Sequence, residues 1–271
     1  MPLTKEQKFL YSRIAILISM VGWISFAFAG LKGFPFWYGG FVLCFWFAFG
    51  LLNYPQNTSL WLLTNRRVPF LLFFGALAGV LVLLDQFALN ARLWYYPIYR
   101  GWWFLWVYLV LYPVSALGQL ELFHFLARFF RERLLFKHRK ESAGHRALDV
   151  AEALAFLAMV GLIALSAAGV ATVPNVLFLV ALLWLLLATV KLAFHITHAT
   201  HYLLILVVVG IIAALLNEFP STVAFEWVYL EAPLLMFVFL GVPLWVWLGW
   251  YWYAVLTLRL WIFLVLHPKV R

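Results

Sequence analysis

Long apolar runs, interrupted by short stretches that combine glycine or proline with polar residues, set the pattern of the chain. Several runs reach the roughly 20 residues that a helix needs to cross a hydrocarbon core of ~30 Å. The alternation of apolar and polar positions that marks a membrane β-barrel is absent. The interruptions have physical causes. "GLKGFPF" (30–36) and "ATVPN" (171–175) carry helix breakers, and "NYPQNTS" (53–59) is rich in turn formers. The pattern predicts an all-α, polytopic integral membrane protein with about eight transmembrane helices, near 12–30, 34–54, 68–90, 101–127, 148–172, 175–196, 199–217 and 230–256. After 256, "LTLRLWIFLVLHPKVR" either lengthens the last helix or turns along the interface.

Composition strengthens this reading. Of the 271 residues, 67% are hydrophobic and 11% charged, less than half the ~25% charge that covers a soluble domain. Of the 19 Lys and Arg, all but Lys32, Arg92 and Arg100 fall on one side when the N-terminus is placed in the cytoplasm. Both termini are therefore expected to be cytoplasmic, in a membrane of the bacterial inner-membrane type. Such loops account for the net charge of +9, and nucleic-acid binding is not expected. The single cysteine, Cys44, excludes an intramolecular disulfide. No small-residue cleavage pattern follows "MPLTKEQKFLYSR", so the first run reads as a retained helix rather than a signal peptide. The central "RFFRERLLFKHRKESAGHR" (128–146) is basic and amphipathic. It is expected to lie on the anionic inner leaflet, Phe and Leu toward the acyl chains; a docking site for a partner subunit is the alternative.

An internal echo divides the chain. "LLDQF" (83–87) returns as "LLNEF" (215–219), Trp94 and Tyr96 as Trp227 and Tyr229, Pro113 as Pro243, Gly118 as Gly249 and Arg128 as Arg259, each after about 130 residues. That spacing contains four predicted helices, so both halves would share one orientation, as parallel repeats about an axis along the membrane normal do. The organisation predicted is a first membrane repeat at 1–130, a basic loop at 131–147 and a second repeat at 148–271, with a ligand cleft between the halves.

Depth follows from a helix rise of ~1.5 Å per residue. Asp85 falls late in the third run and Glu218 late in the seventh. Both would join Trp94, Tyr95, Tyr96, Glu226, Trp227, Tyr229 and Glu231 at the outer rim of an external vestibule. A rim position avoids the ~3 kcal/mol that an aspartate costs at the bilayer midplane. Asp85 and Glu218 are the candidate catalytic acids, paired across the repeat axis. Trp94, Tyr96, Trp227 and Tyr229 would line the entrance, with Tyr112 and Gln119 beside a kink at Pro113. The alternative makes each acid a loop cap bonded to Arg92, Arg100 or a backbone amide. Elsewhere the midplane is aromatic and aliphatic, as in "FVFLGVPLWVWLGWYWY" (237–253). Proline-kinked helices open gaps, and an aromatic gap suits an isoprenoid, carotenoid, quinone or lipid tail. His124, His195, His198 and His201 could gather round a metal or haem iron; interfacial turn residues are the alternative, and neither metal nor cofactor is expected. No Gly-rich phosphate loop, Ser-His-Asp set or nucleotide fingerprint is present.

The run of Asp85, Trp94, Tyr95, Tyr96 and Pro113 resembles the punctuation of the membrane lycopene cyclase domain, a family of carotenoid biosynthesis that is often duplicated. The resemblance covers about 45 residues of the first half, with a weaker echo in the second. It implies a membrane protein that binds a long isoprenoid or carotenoid and modifies it. One departure stands out. That family follows its proline with paired acids, whereas Pro113 leads into "VSALGQLELF" and Pro243 into Leu244 and Trp245. Polyene cyclisation needs a strong, desolvated acid, so the residues leave open whether the chain is an enzyme. The alternatives are a non-catalytic accessory subunit of a membrane complex, holding pigment or lipid, and a small-solute transporter. The second of these lacks the polar midplane residues that transporters use.

Overall fold

The computed structural model describes residues 5–34, 36–54, 58–90, 93–130, 143–168, 174–196, 198–230 and 237–266. These form an all-α bundle of ten helices: α1 (Lys5–Leu31), α2 (Trp37–Asn53), α3 (Ser59–Asn65), α4 (Arg67–Asn90), α5 (Trp103–Trp106), α6 (Tyr112–Phe129), α7 (Ala143–Ala167), α8 (Pro174–His195), α9 (Ala199–Ala224) and α10 (Leu244–Trp261). Two antiparallel ribbons of two residues a strand complete it. One pairs β1 (Trp94–Tyr95) with β2 (Val228–Tyr229), the other β3 (Val238–Phe239) with β4 (Val242–Pro243). Six segments are long and apolar enough to cross a membrane: Tyr11–Leu31, Arg67–Asn90, Trp103–Phe129, Arg146–Leu165, Ala199–Ala224 and Leu244–Val265. Trp37–Asn53 and Phe178–Phe194 are shorter apolar helices. Leu17 and Ile18 of α1 and Leu71 and Leu72 of α4 are exposed on the outside of the bundle, which is compatible with an integral membrane protein whose outer face meets lipid. Residues 131–142 of the basic central loop lie outside the described residues.

Several boundaries depart from the predicted ones, each for a local reason. The helix expected to end at 217 runs through Pro220 to Ala224. A proline forfeits one intrahelical bond, and here α9 ends only where Phe225 turns left-handed at φ 54°. Asn217 and Glu218 are consequently inside a helix, not at its rim. The last helix starts at Leu244, because Leu240 and Gly241 both take positive φ (51° and 79°) and fold 238–243 into a hairpin. Pro243 thus stands at the N-cap of α10, where its fixed φ is tolerated, and kinks nothing. Pro113 behaves differently: one π-helical turn, Val107–Leu111, precedes it and widens the helix where the proline has no N–H to give. The turn-rich 53–59 stretch leads into the short helix α3, whose N-cap Thr58 accepts from the Trp61 amide at 3.2 Å.

The packing is reciprocal. Helix α1 lies against α2 and also against α9, while α7 lies against α8 and also against α4. Helices α6 and α10 contact each other, and each touches both α4 and α9. Helices α9 and α10 approach closely in backbone terms. A Cβ placed on Gly210 would lie 2.8 Å from the Tyr251 Cα and 2.9 Å from its amide nitrogen, and backbone cannot swing aside as a side chain can. Gly210→Ala is therefore expected to destabilise the bundle by about 1–3 kcal/mol through overpacking. Gly75→Ala, with no atom within 4 Å of its new Cβ, should leave stability unchanged or raise it by helix propensity. Thermal denaturation of the two variants in one detergent checks the contrast; equal midpoints would contradict it.

Candidate functional site

The site grows from two short segments of the same design. After α4 the chain turns through Leu93, whose amide bonds the Ala88 carbonyl at 2.8 Å, and becomes extended. Alternate side chains of an extended backbone share a face. Trp94 and Tyr96 therefore turn inward, and Tyr95 between them is exposed. Trp94 Nε1 donates to Asp85 Oδ1 at 3.2 Å and Tyr96 Oη donates to the same oxygen at 2.6 Å. The indole also lies 3.1 Å from the Tyr96 hydroxyl. After α9 the pattern returns. Trp227 Nε1 donates to Glu218 Oε2 at 3.1 Å, Tyr229 Oη donates to it at 2.6 Å, and the indole is 3.1 Å from the phenol. In both segments the carboxyl precedes its tryptophan by 9 residues and its tyrosine by 11. The spatial counterpart of Asp85 is thus Glu218. Aligning "LLDQF" with "LLNEF" sets Asp85 against Asn217, one residue short.

The two segments meet. In the β1–β2 ribbon Trp94 pairs with Tyr229 and Tyr95 with Val228, and the Leu230 amide bonds the Leu93 carbonyl at 2.8 Å. Both carboxyls line one cavity of about 270 Å³, along with Tyr38, Tyr112, Trp245, Trp250 and Tyr253. Trp94 stacks on Trp245 with centroids 5.7 Å apart and planes within 2°, and Tyr229 meets Trp245 edge-on. Apart from the two carboxyls, the polar atoms facing the space are tyrosine hydroxyls and indole N–H groups. Such a wall offers dispersion contact to an apolar molecule and hydrogen bonds at a few points only.

The predicted acids are therefore not a solvated rim. Asp85 and Glu218 are each only 2% exposed, and their hydrogen-bond partners among the described residues are tryptophan and tyrosine. Arg92 and Glu231 lie outside the described residues. Of the predicted lining residues, Trp94, Tyr96, Tyr112, Trp227 and Tyr229 come together at the cavity. Gln119 does not. It is buried elsewhere along α6, its amide without a partner among the described residues. Glu121, the one acid of α6, accepts from Asn53 Nδ2 at 2.9 Å and from the Ser59 amide at 2.7 Å. It ties the α2–α3 turn to α6. His124 packs against Phe123 and Trp261, and His198 stacks on His201. Among the described residues no group of three or more His, Cys, Asp or Glu could hold a metal ion.

Sequence reasoning missed Tyr38, Trp245, Trp250 and Tyr253. Trp245, Gly249 and Tyr253 recur at four-residue steps and share one face of α10, but that signal is drowned by the aromatics at 247 and 251, which do not line the cavity.

A third acid, Glu226, is fully buried beside the ribbon. It faces Tyr99 and the backbone amides of Phe36 and Tyr38 at the start of α2, an end that has no side-chain cap of its own. Neither carboxylate oxygen makes a hydrogen bond of full geometry. Burial pushes the Glu226 carboxyl above the ordinary glutamate range, against the pull of those donors, and burial together with the nearby carboxyl pushes Tyr99 up. A carboxyl whose pKa is raised on folding contributes stability that is complete below its unfolded pKa of ~4.3 and is lost as pH rises through the folded value. The melting temperature of the wild type should accordingly fall more steeply above that pH than that of Glu226→Gln. Parallel melting curves from acid to neutral pH would refute the assignment.

No protein-family model matches the chain, and neither a curated protein nor a solved structure matches it.

Proposed function

We propose that this is an integral membrane protein of two parallel four-helix repeats, 1–130 and 148–271, that binds a long isoprenoid such as a carotenoid in the cavity between them. Eight spans with both termini in the cytoplasm follow from the basic residues and from counting the two shorter apolar helices as spans. The observation that carries the reading is that one aromatic cavity holds both carboxyl–tryptophan–tyrosine sets. The β1–β2 register supports the repeat: the Tyr95–Val228 pair falls midway between the inward residues of the two sets, as a twofold relation would require. The exchange of α1 onto α9 and of α7 onto α4 supports it too.

The aromatic wall favours a long, flat, apolar ligand. Ring faces of Trp94, Trp245 and Tyr229 present polarizable surface to a conjugated chain, and aliphatic side chains join the lining, from Leu81 and Leu84 on α4 to Leu182 and Leu185 on α8. A carboxyl in such a space can act as a general acid toward an alkene. That is the sense in which the chain is lycopene-cyclase-like, even though Val114, Ser115 and Ala116 stand where that family carries its acidic pair.

Purification in mild detergent tests the reading. A visible absorption spectrum and mass analysis of the organic extract should reveal a stoichiometric polyene or related isoprenoid. Trp245→Ala, which removes the ring stacked on Trp94, should lower that occupancy about threefold to tenfold. A colourless protein that yields bulk phospholipid alone would sink the proposal.

A further inference from the structure

The two carboxyls in the cavity differ in one respect. Glu218 is satisfied on both oxygens: Oε2 accepts from Trp227 and Tyr229, and Oε1 accepts from Trp250 Nε1 at 2.7 Å. Asp85 has all its donors on one oxygen. Trp94, Tyr96 and Tyr112 converge on Oδ1, while Oδ2 is buried with no hydrogen-bond partner among the described residues. The Tyr108 hydroxyl, which accepts from Gln86 Nε2 at 2.6 Å, keeps its own O–H and lies close by, yet it makes no hydrogen bond of full geometry to Oδ2. An oxygen crowded by three donors has no room for a proton of its own, so a proton on the Asp85 carboxyl sits on Oδ2.

The sequence supplies the cause. The spacing that aligns Gly118 with Gly249 sets Gln119 against Trp250. The indole that reaches Glu218 in the second half is thus replaced in the first half by an amide outside the cavity lining. Asp85 lacks the indole that closes off Glu218, and among the described residues no side chain makes a hydrogen bond of full geometry to its Oδ2.

Resting on the ligand-binding reading above, we propose that Asp85 alone presents a reactive carboxyl to the cavity's occupant. Its Oδ2 meets an electron-rich group of that occupant, an alkene π bond or an oxygen lone pair. Glu218 is a structural anchor that holds Trp227, Tyr229 and Trp250 in the wall. The ligand is thereby oriented, with the end that is recognised or altered at the α4 side of the cavity.

Dicyclohexylcarbodiimide, an apolar reagent that adds to protonated carboxyls, reads the difference directly. The full-length protein in detergent is treated and the label located by peptide mass spectrometry. In the wild type, label on Asp85 should exceed label on Glu218 by about tenfold or more, the factor associated with one strong hydrogen bond. Trp250→Phe keeps the ring and removes the N–H, and should raise labelling of Glu218 about tenfold while leaving Asp85 as it was. Comparable labelling of the two in the wild type, or none on Asp85, would overturn the proposal. So would a Glu218 that stays inert in a Trp250→Phe protein still eluting as folded. The wild-type ratio decides even if that variant does not fold. An extract without polyene would remove the isoprenoid reading and leave this ratio standing; equal labelling would remove the asymmetry and leave the ligand.

Discussion

A carboxyl enclosed by hydrocarbon must receive its hydrogen bonds from the protein, because neither lipid nor an aliphatic core offers any. Asp85 and Glu218 impose that requirement at the cavity, and the surrounding architecture answers it. Each is served by an indole and a phenol carried on the extended segment that follows its own helix. Those segments must therefore fold back inward instead of spreading over the surface. Once inward, they lie side by side, and their backbone groups are satisfied by pairing as β1 and β2. The ribbon, the cavity and the facing of the two halves all depend on the same demand.

Tryptophan and tyrosine suit the task for a reason beyond hydrogen bonding. Each brings a large apolar ring to a cavity wall and places its one polar atom where the carboxylate needs it. Arginine or lysine would supply stronger donors and, with them, a charge to be buried. The contrast appears on α7, where Glu152 is less deeply enclosed and pairs with Lys191 and Arg259. Charge thus balances charge there, while near the cavity the carboxyls are met by neutral donors. A space lined in this way stays compatible with an apolar guest.

The two carboxyl sets are alike in plan and differ in detail. The spacing from carboxyl to tryptophan to tyrosine is kept, and the carboxyl's second oxygen is not treated alike. A single exchange of indole for amide, Trp250 against Gln119, accounts for the difference. Elsewhere the halves part company as well. Arg128 reaches the Leu52 carbonyl at the end of α2, whereas Arg259 pairs with Glu152. Helix α3 and the Glu121 network that fastens it belong to the first half.

The run lengths of apolar residues by themselves pointed to the helical class, since runs of about 20 residues without strand alternation satisfy their backbone in lipid as helices. Glycine and proline placed most of the breaks, and the echo of Trp94 and Tyr96 in Trp227 and Tyr229 marked the residues that matter. Sequence could not say how a proline would be used. Pro220 sits within a helix, Pro243 begins one and Pro113 follows a π turn, because the cost of a missing N–H depends on what the neighbouring backbone can do. Nor could it show enclosure. Asp85 and Glu218 fall late in their apolar runs, and only the folded ribbon reveals that they are covered. Which of the two keeps a free oxygen was settled by a tryptophan more than 30 residues away, in another helix. Contacts of that kind are fixed by packing between helices, and local sequence pattern carries no record of them.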